Sequence, residues 1–106
     1  MLILTEKSSV AESFSKAFGG TKKSGYFETA DNSVVITYCA GHLYQQVKTN
    51  YYLEDNKWTL DKLPIIPAKM KYIPGKDCLR QISVVNSLLK EHQNERIIIA
   101  TDADRE

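Results

Sequence analysis

The sequence predicts an α/β fold with a largely parallel central sheet flanked by helices, and three observations predict it. The run "RIIIAT" at 96–101 is apolar without in-and-out alternation, the pattern of a central parallel strand covered on both faces. The run "LILT" near the N-terminus is a second short apolar segment, and it gives way at once to polar "EKSS", as a buried strand does where a helix begins. Helically spaced apolar residues follow the first run and precede the second, so strands and helices alternate and stack as layers.

The elements follow in order. Residues 2–5 form the first strand, and Ser8 or Ser9 is expected to cap the next helix. Val10, Ala11, Phe14, Ala17 and Phe18 fall on one helical face, and Gly19-Gly20 stops the helix. Two β-rich runs, 26–29 and 34–38, surround the turn-forming pair Asp31-Asn32, which predicts a hairpin closed by Gly41. From 42 to 75 no period is sustained; all three prolines lie here, with Trp58, Tyr51, Tyr52 and Tyr72. That stretch reads as an irregular insertion with one short strand, packed in part by "LPIIP". Asp77 opens a second helix in which Cys78, Ile82, Val85 and Leu89 recur at helical spacing, ending near 91–94 ahead of the strand at 96–101.

Length and composition bound the rest. At 106 residues the chain holds one core and is too short for two. With 42% hydrophobic and 25% charged residues it belongs with folded proteins, far from disordered ones. A net charge of +1 lacks the basic excess that announces a nucleic-acid binder, although an acidic metal site would cancel lysines in that sum. Cys39 and Cys78 lie far apart and outside any C-x-x-C pair, which argues against a zinc site or a disulfide framework and predicts buried free thiols. No apolar stretch approaches a membrane span, and the N-terminal run is too short for a signal peptide, so a cytoplasmic protein is expected.

In sheets of this kind ligands bind at the carboxyl ends of the strands, and two of the predicted strands end in acid, Glu6 and Asp102. Asp102, Asp104 and Glu106 alternate along extended chain and can present three carboxylates to one point. Such charges repel unless a divalent cation gathers them, and Mg²⁺ takes one or two protein carboxylates, waters and a phosphate oxygen. A solvated acidic turn is the competing reading. Glu6 reads as a general acid or base, with opposed pulls from neighbouring carboxylates and from Lys7 or a cation, or else as a partner of the following helix dipole. Lys7 reads as a phosphate holder at that helix start or as a solvated lysine.

"LTEKSSVA", "AGHLYQ", "LPIIP" and "ATDADRE" occur in order over almost the whole chain. Together they resemble the successive motifs of the Toprim domain of type IA DNA topoisomerases, most like the topoisomerase III branch. The resemblance implies a Toprim (Rossmann-like) fold, with residues 1–106 as its N-terminal part and 42–75 as an insertion. In the family "DADRE" runs on into Gly-Glu, a further helix and strand, and domains that close a ring around DNA.

The resemblance also implies roles. Glu6 matches the catalytic glutamate that handles the proton on the 3′-oxygen, with Lys7 the basic residue beside it. Asp102, Asp104 and Glu106 match the acidic triad that binds Mg²⁺, and Lys7, His42 and Arg105 are expected DNA contacts. The family cleaves one DNA strand through a 5′-phosphotyrosine, passes another and reseals, without ATP. Its nucleophile lies in a later domain, so Tyr26, Tyr38, Tyr44, Tyr51, Tyr52 and Tyr72 are expected to be core or surface aromatics, and the chain alone to be inactive. Ser8 stands where the family usually has proline, a change in capping more than in chemistry.

The sequence also admits other readings. Toprim modules also occur in primases, nucleases and recombination proteins, and the chain could be a non-catalytic, metal-dependent nucleic-acid binding module. A mononucleotide-binding domain is disfavoured because "TEKSSVA" has no glycine-rich phosphate loop. Trp58 is expected to anchor packing, and Lys69, Lys71 and Lys76 to be solvated.

Overall fold

A computed structural model of the chain describes residues 1–103. The elements are β1 (Leu2–Thr5), α1 (Ser8–Phe18), β2 (Thr21–Lys22), β3 (Tyr26–Glu28), β4 (Val35–Tyr38), β5 (Tyr44–Gln46), β6 (Tyr72–Pro74), α2 (Leu79–Glu91) and β7 (Ile97–Ala100). Five strands form one sheet in the order β2-β3-β4-β1-β7. Both β4 and β7 pair parallel with β1, while β3 is antiparallel to β4 and to β2. Among the described residues β3 alone therefore runs against the other strands of this sheet, which is the largely parallel α/β architecture that the sequence predicts.

The period of two along each strand divides the core between the faces. Leu2, Val35, Tyr26 and Ile97 pack toward α2 with Val84, Leu88 and Leu89. Ile3, Ile36, Phe27 and Ile98 pack toward α1 with Ala11 and Phe14. With a helix over each face, successive residues of β1 are both buried, which is why the strand is apolar without alternation.

The elements depart from expectation in several places. Neither Ser8 nor Ser9 caps α1: Lys7 holds the N-cap position in extended conformation and no side chain caps the helix. The buried face of α1 is Ala11 and Ser15, whereas Ala17 and Phe18 are exposed. Cys78 sits in a 3-10 turn ahead of α2, whose buried face is Gln81, Ile82, Val85 and Leu88, one residue short of Leu89. The two-residue β2, too short to show a period, extends the hairpin outward from Gly19-Gly20. Among the described residues β7 is an edge strand, and Ile99 is 63% exposed because the cover from α2 reaches only Ile97 on that side. Both cysteines are free and part-buried, short of full burial.

The stretch 42–75 holds two strands where one was expected. β5 and β6 pair antiparallel as a ribbon separate from the main sheet. No residue of the stretch is fully buried, and Trp58, at 57% exposure, does not anchor packing as expected. The molecule measures 60 × 24 × 23 Å, with a radius of gyration of 18.1 Å, against about 13 Å for a compact chain of this length. Short turns and prolines cannot build a second core here, so the stretch extends the molecule without thickening it.

Two polar contacts tie the layers and give testable consequences. The buried Gln81 amide of α2 donates to the carbonyls of Tyr38 at 2.7 Å and Gly25 at 3.0 Å, fastening the helix to the end of β4. Gln81→Leu keeps the volume and leaves the Tyr38 oxygen without this donor; a loss of about 1–3 kcal/mol in urea unfolding is expected, and a change within error would remove Gln81 from that role.

Glu95 joins the chain start to the end of α2: the Met1 ammonium donates to its carboxylate, and His92 Nδ1 lies 3.0 Å from its second oxygen. The ammonium first, and His92 after it, hold the Glu95 carboxyl below its ordinary value of 4.5. A depressed carboxylate contributes stability above the unfolded value, and that contribution fades as pH falls through the folded one. Thermal midpoints should therefore drop on acidification below about pH 4.5, and Glu95→Gln should lessen that drop, as scanning calorimetry at several pH values would show.

Candidate active site

The parallel register decides what meets at the sheet's carboxyl edge. Thr5 stands opposite Ala100 on one side and Tyr38 on the other, so β7, β1 and β4 end level and side by side. The residues that leave these ends are Asp102 after Thr101, Glu6, and Cys39. Cys39 N–H donates to Thr5 O at 2.9 Å and Gly41 N–H to Glu6 O at 3.3 Å, which folds the loop after β4 across the exit of β1. Ala40 and Gly41 take φ of 55° and 83°, and this pair of left-handed residues turns the chain back; the second is glycine, which bears that conformation without strain. Thr5 Oγ1 donates to Lys7 O at 3.1 Å and Thr37 O at 3.2 Å and steadies the same exit.

Glu6 is 7% exposed, whereas Asp102 leaves about half its side chain in water. Lys7 spans the two: its Nζ lies 2.7 Å from Asp102 Oδ2 and 3.6 Å from Glu6 Oε1. The N-cap geometry explains this reach, because the extended backbone of Lys7 begins the helix while its side chain returns to the strand ends. Glu6 and Asp102, which Lys7 bridges, line a groove of about 660 Å³ together with Cys39, His42, Tyr44, Gln46 and Tyr72. Burial, and then the Glu6 charge, push the Cys39 thiol up from 9.0, so it stays protonated at neutral pH and is no thiolate nucleophile.

The structure thus brings together Glu6, Lys7 and Asp102 and puts exposed His42 on the same groove. Asp104, Arg105 and Glu106 lie outside the described residues. Among the described residues no three of His, Cys, Asp and Glu form a metal-binding group. Glu6 and Asp102 nonetheless converge on one cationic group, and an all-oxygen pair suits a hard cation such as Mg²⁺. Cys39 was not picked out for this site, although the rule that found Glu6 and Asp102, applied to the third strand end, reaches it. Tyr44, Gln46 and Tyr72 were missed because strands of three residues in a proline-rich stretch show no usable period.

Comparison with known proteins fits this arrangement. The model of the Toprim domain matches residues 1–106. The chain belongs to the Toprim domain family. Relatives of this Toprim domain include DNA topoisomerase 3 of Staphylococcus saprophyticus, 40% identical over 107 residues, covering 99% of this chain and 15% of the relative. DNA topoisomerase 3 of Staphylococcus aureus strain USA300 is 39% identical over the same shares of the two chains. The Toprim domain thus spans about 15% of the length of the relatives it matches.

Proposed function

We propose that this Toprim domain is the N-terminal part of a type IA DNA topoisomerase of the topoisomerase III kind, acting on a single-stranded DNA segment without ATP in the cytoplasm. The observation that carries the reading is Lys7 between Glu6 and Asp102 at the level ends of parallel strands, in a chain whose relatives are named DNA topoisomerase 3. Glu6 gives a proton to the 3′-oxygen that leaves on cleavage and takes it back on resealing; its low exposure keeps the carboxyl away from bulk water. Lys7, at the start of α1, holds the scissile phosphate by charge, with His42 and Arg105 as further DNA contacts. Asp102, with Asp104 and Glu106, would hold Mg²⁺, which when bound neutralises phosphate charge.

On this reading the nucleophilic tyrosine belongs to a later domain, as the resemblance to the family implies. A tyrosine oxygen needs an adjacent base or cation for activation; the ammonium–tyrosine contact of Lys71 with Tyr51 lies in the 42–75 stretch, and neither residue lines the groove. The test is relaxation of negatively supercoiled plasmid with Mg²⁺. The full-length protein that carries this chain is expected to relax it and the 106-residue chain is not, because nucleophile and both strands must be positioned together. Relaxation by the pure chain would overturn the division of labour, and an inert full-length protein would overturn the topoisomerase reading.

A further inference from the structure

The groove at Glu6 and Asp102 has a wall that the proposed chemistry does not use. Residues directly opposite in an antiparallel pair share a face, so Tyr44 with Pro74 and Gln46 with Tyr72 lie on one side of the β5–β6 ribbon. Tyr44, Gln46 and Tyr72 from that side line the groove together with Glu6 and Asp102. Tyr44 is 49% and Tyr72 57% exposed, and Gln46 Nε2 donates to Tyr72 Oη at 3.4 Å. Neither ring belongs to the hydrophobic clusters beneath the main sheet.

We propose that Tyr44 and Tyr72 form a stacking subsite for one nucleobase of the single strand whose phosphate lies at Lys7; the proposal rests on the function argued above. Tyr44 and Tyr72 are diagonal neighbours in the register, a relation that separates residues by about 7–8 Å. That diagonal is within reach of aromatic side chains, so both rings can contact one flat base. A base offers the two things the wall can use, a π-face for the tyrosines and a polar edge for the Gln46 amide. A base inside a duplex already stacks on its neighbours and is closed to the rings, so the subsite selects unpaired strand. An apolar peptide is the poorer occupant, because the same groove is lined by Glu6, Asp102 and Gln46.

The test is fluorescence anisotropy of the 106-residue chain at low salt with a short labelled oligothymidine and with the same strand carrying an abasic position. Because base–aromatic stacking is sequence-tolerant, oligothymidine is a sufficient probe, and Tyr44→Leu with Tyr72→Leu should weaken binding roughly 5- to 150-fold. Walking the abasic position along the strand should find a site that costs the wild type a similar factor and the Leu variant almost nothing. Tyr44→Phe with Tyr72→Phe should bind as the wild type does, which separates stacking from the hydroxyls and from misfolding. Lys7→Ala should weaken intact and abasic strands alike. Abasic strands bound as tightly as the intact one, or Phe variants as weak as the Leu variants, would overturn the subsite; if Lys7→Ala still weakens binding, the DNA-binding reading stands without it. No binding by the wild type to either strand would bring down that reading and the subsite together.

Discussion

In the full-length protein that carries this chain, Glu6→Gln is expected to lower plasmid relaxation by about 10²- to 10⁴-fold while single-strand binding stays within a few-fold of the wild type. Glutamine keeps the shape of glutamate and can neither give nor take the proton that the 3′-oxygen exchanges on cleavage and resealing. The substitution is also mild for the fold. The Glu6 carbonyl, which accepts the Gly41 N–H, is backbone and unchanged, and an amide removes a charge from a site that is 7% exposed. The two readouts separate chemistry from recognition: relaxation on supercoiled plasmid, and anisotropy with a labelled oligonucleotide. Relaxation within a few-fold of the wild type would take Glu6 out of the chemistry.

The parts of this site legible in sequence are those that one rule reaches. Strand ends in a parallel sheet face one edge, so two apolar runs ending in Glu6 and Asp102 already implied a meeting, and the register of β1 with β7 delivers it. The core was legible in part: Ile3 lies in the run read as a buried strand and Val35 and Ile36 in the second arm of the expected hairpin, whereas the 96–101 run, expected to be covered on both faces, is an edge strand among the described residues and leaves Ile99 63% exposed. Capping was not: serine is the better cap in isolation, yet Lys7 takes the N-cap position with no side-chain cap, and its side chain turns toward the carboxylates. Nor was the β5–β6 ribbon, because its pairing joins residues far apart in sequence and nothing local in "YQQ" or "YIP" announces a partner. Asp104, Arg105 and Glu106, expected as ligands and a DNA contact, lie outside the described residues, so their roles rest on the resemblance to the family.

Asp102→Asn should behave differently from Glu6→Gln, and the difference tests the division of roles at the strand ends. Asp102 is about half exposed and its ion pair with Lys7 lies at the surface, where such pairs are worth about 0–1 kcal/mol; the fold should survive the change. What is lost is one negative charge beside a divalent cation, and near a protein surface a close charge contact amounts to a few kcal/mol. Relaxation by the full-length variant at limiting Mg²⁺ should therefore fall on the order of 10²-fold, since each tenfold corresponds to about 1.4 kcal/mol. Raising Mg²⁺ should restore most of it, because a weakened affinity is overcome by concentration. No concentration of Mg²⁺ supplies the proton that Glu6→Gln lacks, so that variant should stay inactive across the same titration. In the isolated chain the Lys7 ammonium, 2.7 Å from Asp102, already neutralises part of the site. Calorimetry should accordingly give an Mg²⁺ affinity weaker than micromolar, above about −8 kcal/mol, and weaker again for Asp102→Asn. An Asp102→Asn enzyme as active as the wild type at limiting Mg²⁺, or one that excess Mg²⁺ fails to rescue, would show that Asp102 does not hold the cation.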